Sequence, residues 1–562
     1  MKKKIIYAFL LPLLLVASCG GGGGEQSQET SSTSSELSSS TLSSSEDTGV
    51  QMEDDPAANY VFENVDNSRG SMSYEIFTRS FYDANGNGIG DLKGITTNLD
   101  YLKRMGIKTL WLTPIHPSPT YHGYDVKDYF DVSKAIGSLA DFDELVAEAN
   151  DRSIDIMLDM VFNHCSRDNQ IFIDSYNDFK AGYAGEDSKK DWFNWSETAG
   201  GIYNACYNGD RNAWYEARFD SSMPDFNFDC EALRDYIESI MKFWIVDHGV
   251  KGFRLDAVKY YYYENTNLNN AVLTWMEEVA HKYDPNFYMV GECWSADTAV
   301  NMYHGSKLDS FFRFEGSYEG TTSILNVAKG NIKAERFANT VVKNVNAIHQ
   351  KNPNGYPSYF LSNHDMNRSI HAFGENENTP KTAASILALL PGTSFMYYGE
   401  EIGMLGKRKT SPDDLSDVRR RLPLIWSETD TTGQCIFPES NRQDLNNNTQ
   451  VKKGIHDREA ENFSLLNHYR KAVEIRNKYP FIKHADIVSL VDGLNTDSTK
   501  VLAYKLYQGE DYIIVVHNCS DKNMEVTVEG NQIVDSLNVN HKIPVLENGS
   551  LKIGAYSTVV IQ

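Results

Sequence analysis

The sequence predicts an α/β protein built on a closed (β/α)8 TIM barrel. A loop domain is inserted after the third strand, and a small antiparallel β-sandwich follows at the C-terminus. Three observations predict this. Short apolar runs alternate with helical patterns until eight strands have been counted, between about residues 72 and 401. The rhythm breaks over 163–230, where a long irregular stretch intervenes. Beyond residue 480 it gives way to short alternating runs separated by turn residues. Repeated βα units imply a parallel sheet, and eight of them imply closure. A doubly wound open sheet would want a glycine-rich dinucleotide turn after a strand, and the sequence has none.

The elements follow in order. "YEIFTRSF" (74–81) is the first strand and "NLDYLKRMG" its helix. "KTLWLTPI" (108–115) is the second, followed after a loop by helical "DFDELVAEANDRS". "IDIMLDMVF" (154–162) is the third, so the first part of the barrel spans 59–162 and the inserted domain 163–230. Helical "ALRDYIESIMKFWIVDHG" leads into "GFRLDAV", the fourth strand. "NFYMVGECW", "SFFRF", "YPSYFLSN" and "TSFMYYGEE" complete the barrel, whose second part spans 231–480. "KVLAYKLYQG", "DYIIVVHNCS", "MEVTVEG" and "STVVIQ" place the β-domain at 481–562.

The N-terminus is different in kind. Residues 1–18, "MKKKIIYAFLLPLLLVAS", carry a basic start and a short apolar run. This is the pattern of a secretory signal, too short for a comfortable membrane span. It ends in "VASC", which resembles a bacterial lipobox with Cys19 as the acylated residue. Residues 19–58 are Gly, Ser, Thr and acid, a flexible tether with little to bury. The expected product is an exported protein held at the bacterial cell surface by a lipid anchor, in the cell membrane or the outer membrane. The net charge of −24 makes the chain a poor partner for phosphate backbones, so nucleic-acid binding is not expected. Six cysteines remain after Cys19, with no CxxC pair, which argues against a structural zinc site. A monomer is expected.

In a barrel of this kind chemistry sits at the C-terminal strand ends. Asp256, Glu292 and Asp365 end the fourth, fifth and seventh strands. A lone strand-end acid is more often a cap or an ion-pair partner; three converging acids favour a site. Arg254 and Asp256 are two apart on one strand and project to the same side. A guanidinium there favours the ionised carboxylate. The chemistry most in need of paired acids is glycoside hydrolysis, in which one carboxylate attacks and another carries the proton.

"DMVFNH" (159–164), "GFRLDAVKY" (252–260), "VGECW" (290–294) and "LSNHD" (361–365) resemble, in order and spacing, four signature segments of the α-amylase family, glycoside hydrolase family 13. "MPDFN" (223–227) and "YYGEE" (397–401) resemble two more. Within the family the chain is similar to lipid-anchored starch-degrading amylases of the SusG type. The resemblance implies that Asp256 is the nucleophile, Glu292 the acid/base and Asp365 the transition-state stabiliser. It implies that Arg254, His164 and His364 line the subsite of the distorted sugar, with Tyr124 stacked beneath it and His122 nearby. Ala257 after the nucleophile favours α-1,4 linkages, and Lys259 resembles a lysine on the leaving-group side. The implied activity is a retaining, endo-acting α-1,4-glucan hydrolase on starch and maltooligosaccharides. The alternatives are an α-glucosidase or neopullulanase-like enzyme, a glucanotransferase, and a non-catalytic starch-binding protein.

"DANGNGIGD" (83–91) sets oxygen donors at Asp83, Asn85, Asn87 and Asp91, with glycines to allow a tight curl. Ca²⁺ takes six to eight oxygens, and this spacing supplies them; the Ile89 carbonyl is a further candidate. The resemblance implies that this loop binds calcium. The resemblance implies a second Ca²⁺ at Asn163, Asp225 and the backbone carbonyl of Tyr260, where the family usually has histidine.

Overall fold

The computed structural model describes residues 71–263, 265–295, 302–317, 320–374, 376–408, 417–436, 451–496, 498–539 and 541–562. The signal segment 1–18, Cys19 and the tether 19–58 lie outside them. Eight parallel strands close a barrel: β1 (Met72–Ile76), β2 (Thr109–Leu112), β3 (Asp155–Met160), β4 (Gly252–Leu255), β5 (Tyr288–Gly291), β6 (Ser310–Phe312), β7 (Tyr356–Phe360) and β8 (Thr393–Tyr397). They neighbour one another in sequence order, and β1 pairs with both β2 and β8. The strands are shorter than their apolar runs. After β1, for example, the chain turns into a 3-10 helix at Thr78–Ser80. The apolar residues beyond each ladder pack in the turns that build the mouth.

Successive side chains alternate between the barrel interior and the helix layer. The inward set stacks in layers. Near the floor the hydroxyls of Tyr288, Ser310, Ser358 and Thr393 bond one another, with Tyr288 2.9 Å from Ser310 and Ser358 2.6 Å from Thr393. Above them lies an apolar layer that includes Trp111, Val290, Phe312, Phe360 and Phe395. Above that again, Glu75, Asp159 and Arg254 are buried. The ladder register sets Asp159 beside Arg254, and Glu75 beside Trp111. The outward residues, such as Ile76, Leu110, Leu158 and Phe253, join the main core between strands and helices.

The insertion after β3 holds the helix Gln170–Ala181, capped by the Asn169 side chain, and a three-stranded sheet with Trp214–Glu216 in the middle. A bridge between His164 and Asp225 ties it to the barrel mouth. At the C-terminus a five-stranded sheet faces a three-stranded one. The alternation along Val501–Gln508 explains how it packs. Val501 and Ala503 face the second sheet, and Leu502, Tyr504 and Leu506 join the main core. The Tyr504 hydroxyl donates to the Leu389 carbonyl of the barrel helix Asn378–Leu389 at 3.1 Å. All six remaining cysteines, Cys165, Cys206, Cys230, Cys293, Cys435 and Cys519, are free thiols. Among the described residues no helix is long and apolar enough to cross a membrane.

Candidate active site

Arg254 is the centre of the mouth. It is fully buried, which is costly for a charge unless anions surround it. Its Nη1 donates to Asp159 Oδ1 at 2.8 Å and to Asp256 Oδ1 at 2.7 Å. Its Nη2 lies 3.1 Å from Glu292 Oε1. One guanidinium therefore holds two strand-end carboxylates on adjacent amino groups, and a third from β3. The turn after β4 draws the pair together further. Ala257 sits in the left-handed region at φ 51°, uncommon for a residue with a Cβ. That conformation directs its N–H to Glu292 Oε2 at 3.0 Å.

Burial pushes the Asp256 carboxyl above the usual range, opposed by the charge and hydrogen bond of Arg254. Burial likewise raises Glu292, with Arg254 opposing and the Asp256 and Asp365 charges adding to the rise. Asp159 is pushed up to about 7, chiefly by burial. Arg254 thus favours the ionised Asp256, as expected, but desolvation is the larger influence. Asp365 differs. Burial would raise it, but His364, Arg421 and Arg254 outweigh burial and hold it well below the usual carboxylate range.

His364 connects these groups. Its Nε2 faces Asp365 Oδ2 at 2.9 Å and the Tyr124 oxygen at 2.6 Å. The Tyr124 hydroxyl donates onward to Asp159 Oδ2 at 2.9 Å. Tyr124 lies nearly parallel to the His364 ring, 5.6 Å away. Both remaining histidines hold the Tyr124 backbone. The Tyr124 N–H donates to His122 Nδ1 at 3.1 Å, and its carbonyl accepts from His164 Nε2 at 3.1 Å. His164 Nδ1 faces the Asn163 amide at 3.3 Å, and burial lowers the ring to about 4, so it is neutral. With both nitrogens engaged, His164 supports the Tyr124 backbone. Lys259 Nζ donates to the Trp294 carbonyl, on the far side of Glu292. Of the tyrosine run, Tyr261 is buried and the Tyr262 hydroxyl bonds Asp229 at 2.5 Å. Tyr263 is at the surface, under Arg218.

Several mouth residues went unmarked in the sequence. Glu75 on β1 lies against His364 Nδ1 at 2.5 Å. Arg421 donates from Nη2 to Asp365 Oδ1 at 2.8 Å and from Nε to the His364 carbonyl at 3.0 Å. Arg420 donates to the Asp365 carbonyl. The signal for the arginines was "RRR" (419–421) after the last strand, which looks like a solvated charge run.

The loop 83–91 is curled around Asp83. Its Oδ1 accepts from the N–H groups of Gly86 and Asn87, and its Oδ2 from Gly88. Asn85 and Asn87 each accept one backbone N–H, and Asp91 Oδ2 turns in to accept from Ala84 and Asn85. Gly88 has φ 91°, and a Cβ there would lie 2.6 Å from Ile436. Asp83 Oδ2, Asn85 Oδ1 and Asn87 Oδ1 accept one N–H each and keep a lone pair to spare, so the loop fits a hard cation such as Ca²⁺. The second set also fits in part. Asn163 Oδ1 is buried without a partner, and Asn163 Nδ2 bonds Asp225 Oδ1 at 2.9 Å. Burial, with the Glu216 charge, pushes Asp225 up to about 8, which a cation would reverse. Tyr260 packs its ring on Phe219 at 5.2 Å, and Phe219 packs on His164. Away from the mouth, Glu277, His281 and Asp309 form a further group with metal-ligand spacing, beside the floor of the barrel.

A barrel whose mouth buries two acids on one arginine, with a third acid opposite, defines a carbohydrate-cleaving enzyme of the glycoside hydrolase class. Comparison with known proteins makes this specific. Residues 75–485 match the α-amylase catalytic domain, and 501–560 match the C-terminal domain of the α-amylase SusG. The chain is 32% identical over 507 residues to "Alpha-amylase 3" of Dictyoglomus thermophilum, covering 88% of this chain and 93% of that protein. It is 27% identical to an oligo-1,6-glucosidase of Bacillus cereus, covering 80% and 90%. Among solved structures it resembles Eubacterium rectale Amy13B, with a TM-score of 0.81, 32% identity and coverage of 91% and 97%. The protein belongs to the α-amylase family of glycoside hydrolases, family 13.

Proposed function

We propose that this protein is a retaining, endo-acting α-1,4-glucan hydrolase that cleaves starch and maltooligosaccharides. The observation that carries the reading is the pair Asp256 and Glu292 on one buried guanidinium. A retaining enzyme sets its two carboxyl groups only ~5–5.5 Å apart. Adjacent amino groups of one arginine suit such a span.

The asymmetry of the pair assigns the roles. Asp256 accepts the shorter, direct hydrogen bond from Arg254, which favours its anion. Glu292 is held by Arg254 at the longer distance of 3.1 Å and is raised by burial, which suits it to carry the proton. Asp256 Oδ attacks the anomeric carbon while the bond to the leaving oxygen breaks, and the Glu292 proton passes to that oxygen. The ionised Glu292 then takes a proton from water. The resulting hydroxide attacks the same carbon, releases Asp256 and leaves Glu292 protonated again. Asp365 and His364 face the sugar hydroxyls, and Asp365 supplies negative charge to the oxocarbenium-like state. Tyr124 forms the floor under the ring. Lys259 and Trp294, which stacks on Phe314, form the leaving-group side.

Ala257 and the amylase relative support α-1,4 specificity and internal cleavage. The oligo-1,6-glucosidase relative supports a second reading, cleavage at chain ends or at α-1,6 branches. Products from soluble starch, pullulan and maltotriose separate them. Random internal cuts in starch are expected. Glucose alone from chain ends would overturn endo action, and products longer than maltotriose from maltotriose would indicate transfer.

Ca²⁺ is assigned to Asp83, Asn85, Asn87, Ile89 and Asp91, and a second ion to Asn163, Asp225 and Tyr260. When bound, the ion would neutralise its carboxylates and pin the loops. Because a ligand of the folded state alone stabilises it, chelation with EDTA should lower Tm and added Ca²⁺ restore it. An unchanged Tm in metal-stripped protein would count against both sites. The leader 1–18, Cys19 and the tether 19–58 support an exported, lipid-anchored protein at the cell surface. Proteolysis of intact cells that spares this protein would contradict that placement.

A further inference from the structure

Glu75 is a charged residue on β1, buried at 1% exposure inside the barrel. A carboxylate in that setting needs a hydrogen-bonded partner of opposite charge. Among the described residues its side-chain hydrogen bonds are with His364. Oε1 lies 2.5 Å from His364 Nδ1 and 3.3 Å from the His364 backbone N–H. The opposite ring nitrogen, Nε2, faces Asp365 Oδ2 and the Tyr124 oxygen. The Tyr124 hydroxyl is already committed as a donor to Asp159. Tyr124 therefore offers Nε2 only a lone pair.

Both ring nitrogens thus face acceptors. A neutral imidazole has one N–H and one lone pair, and would set that lone pair against a carboxylate on one side or the other. Only the imidazolium satisfies both. The other groups around the ring are consistent with this. Trp111 meets it edge-on at 5.7 Å, and the charges of Asp159 and Asp256 are felt from β3 and from the end of β4. Arg421 is engaged with the His364 carbonyl and with Asp365. Burial alone would lower the imidazole, but Asp365 and Glu75 outweigh it and carry it up to about 10.

We propose that Glu75 is a positioning residue for glycosidic cleavage: its carboxylate keeps His364 doubly protonated and fixes the Nε2–H on Asp365, so that the third acid stays ionised and aimed into the mouth. The proposal rests on the reading of Asp256, Glu292 and Asp365 as the catalytic acids. Glu75 itself touches no substrate in this arrangement; it acts through His364.

The linkage has a definite sign. A group whose pKa is raised on folding contributes stability fully below its unfolded value and loses it as pH rises through the folded value. The stabilisation from the protonated His364 is therefore full just below the ordinary imidazole value, about 6.5, and is lost progressively as pH rises from there to about 10.

Two measurements test the proposal. In Glu75→Gln the shape is kept and the charge removed, so His364 should lose its proton within the working range. kcat should then show a new alkaline limb at least one pH unit below that of the unaltered enzyme, an activity ratio that approaches about tenfold at pH values above both limbs. KM for maltooligosaccharides should change much less than kcat, and Glu75→Asp should restore the original profile. A Glu75→Gln profile parallel to that of the unaltered enzyme, at whatever level, would overturn the proposal, since a merely structural role predicts that result. The second measurement needs no variant. In ¹⁵N-histidine-labelled protein at pH 8, His364 should show two protonated nitrogens; a neutral tautomer would overturn the proposal even if Glu75→Gln fails to fold. Failure of the underlying catalytic reading is distinguishable, because it would appear as turnover surviving Asp256→Asn while the His364 nitrogen shifts stay as stated.

Discussion

The floor and the mouth of the barrel stand on the same strands and solve burial in opposite ways. At the floor the polar side chains in the barrel interior are hydroxyls. Tyr288, Ser310, Ser358 and Thr393 satisfy one another at little electrostatic cost. At the mouth, four residues beyond Tyr288 on the same run, the partly buried Glu292 joins Asp159, Arg254, Asp256 and Glu75, which are buried, and Asp365, which is half-buried. Hydroxyls would have been the cheaper filling there too, since buried ion pairs frequently fail to repay their desolvation. The contrast teaches where the fold tolerates electrostatic strain. Charge is buried at the end where a carboxylate must attack and another must hold a proton.

The largest expected effect is at Asp256. Asp256→Asn should lower kcat by several orders of magnitude, about 10³-fold or more. Tm should hold or rise, because the substitution removes a charge that burial disfavours. Near-normal turnover would refute the nucleophile assignment. Glu292→Gln comes next. Because burial raises Glu292, its deprotonation should set the alkaline limb of kcat/KM in the unaltered enzyme. On a glucosyl fluoride, whose leaving group needs no proton, the variant should retain far more activity than on starch and should lack that limb. A limb that persists would assign it to another group.

Arg421→Met sharpens the comparison from the cation side. It strands Asp365 Oδ1 and the His364 carbonyl, each bonded to Arg421. Hydrogen bonds to charged groups contribute about 1.5–3 kcal/mol, so kcat should fall by roughly 10- to 100-fold. A variant with unchanged kcat would show that Asp365 is oriented without it. The smallest effect is at the floor. Ser358→Ala should cost about 1 kcal/mol of stability by denaturant unfolding and leave kcat unchanged. A loss of turnover there would break the division between the two ends.

The sequence made local pairings legible and distant ones obscure. Arg254 and Asp256 are two residues apart on a strand, so period-2 alternation alone put them on one face, and they meet at 2.7 Å. The barrel and the sandwich were legible for the same reason, as each rests on short-range alternation repeated many times. Glu75 was invisible because "SYEIF" reads as a strand with one stray charge, and its partner lies 289 residues away. Arg421 was hidden likewise, 56 residues from Asp365 in a run of three arginines. The support that His164 gives to Tyr124 was hidden too, since only the folded chain brings the Tyr124 carbonyl, 40 residues distant, to its Nε2. The strand ends overran because apolar residues continue past the ladders into the turns of the mouth.

The central claim is that Asp256 forms a covalent bond to the sugar. Treatment with a 5-fluoro-α-glucosyl fluoride, which slows breakdown of the intermediate, followed by proteolysis and mass spectrometry tests it directly. The account predicts one added fluoroglucosyl unit on the peptide that carries Asp256, absent in Asp256→Asn. An adduct on another carboxylate, or turnover of the fluoride with inversion at the anomeric carbon, would contradict it.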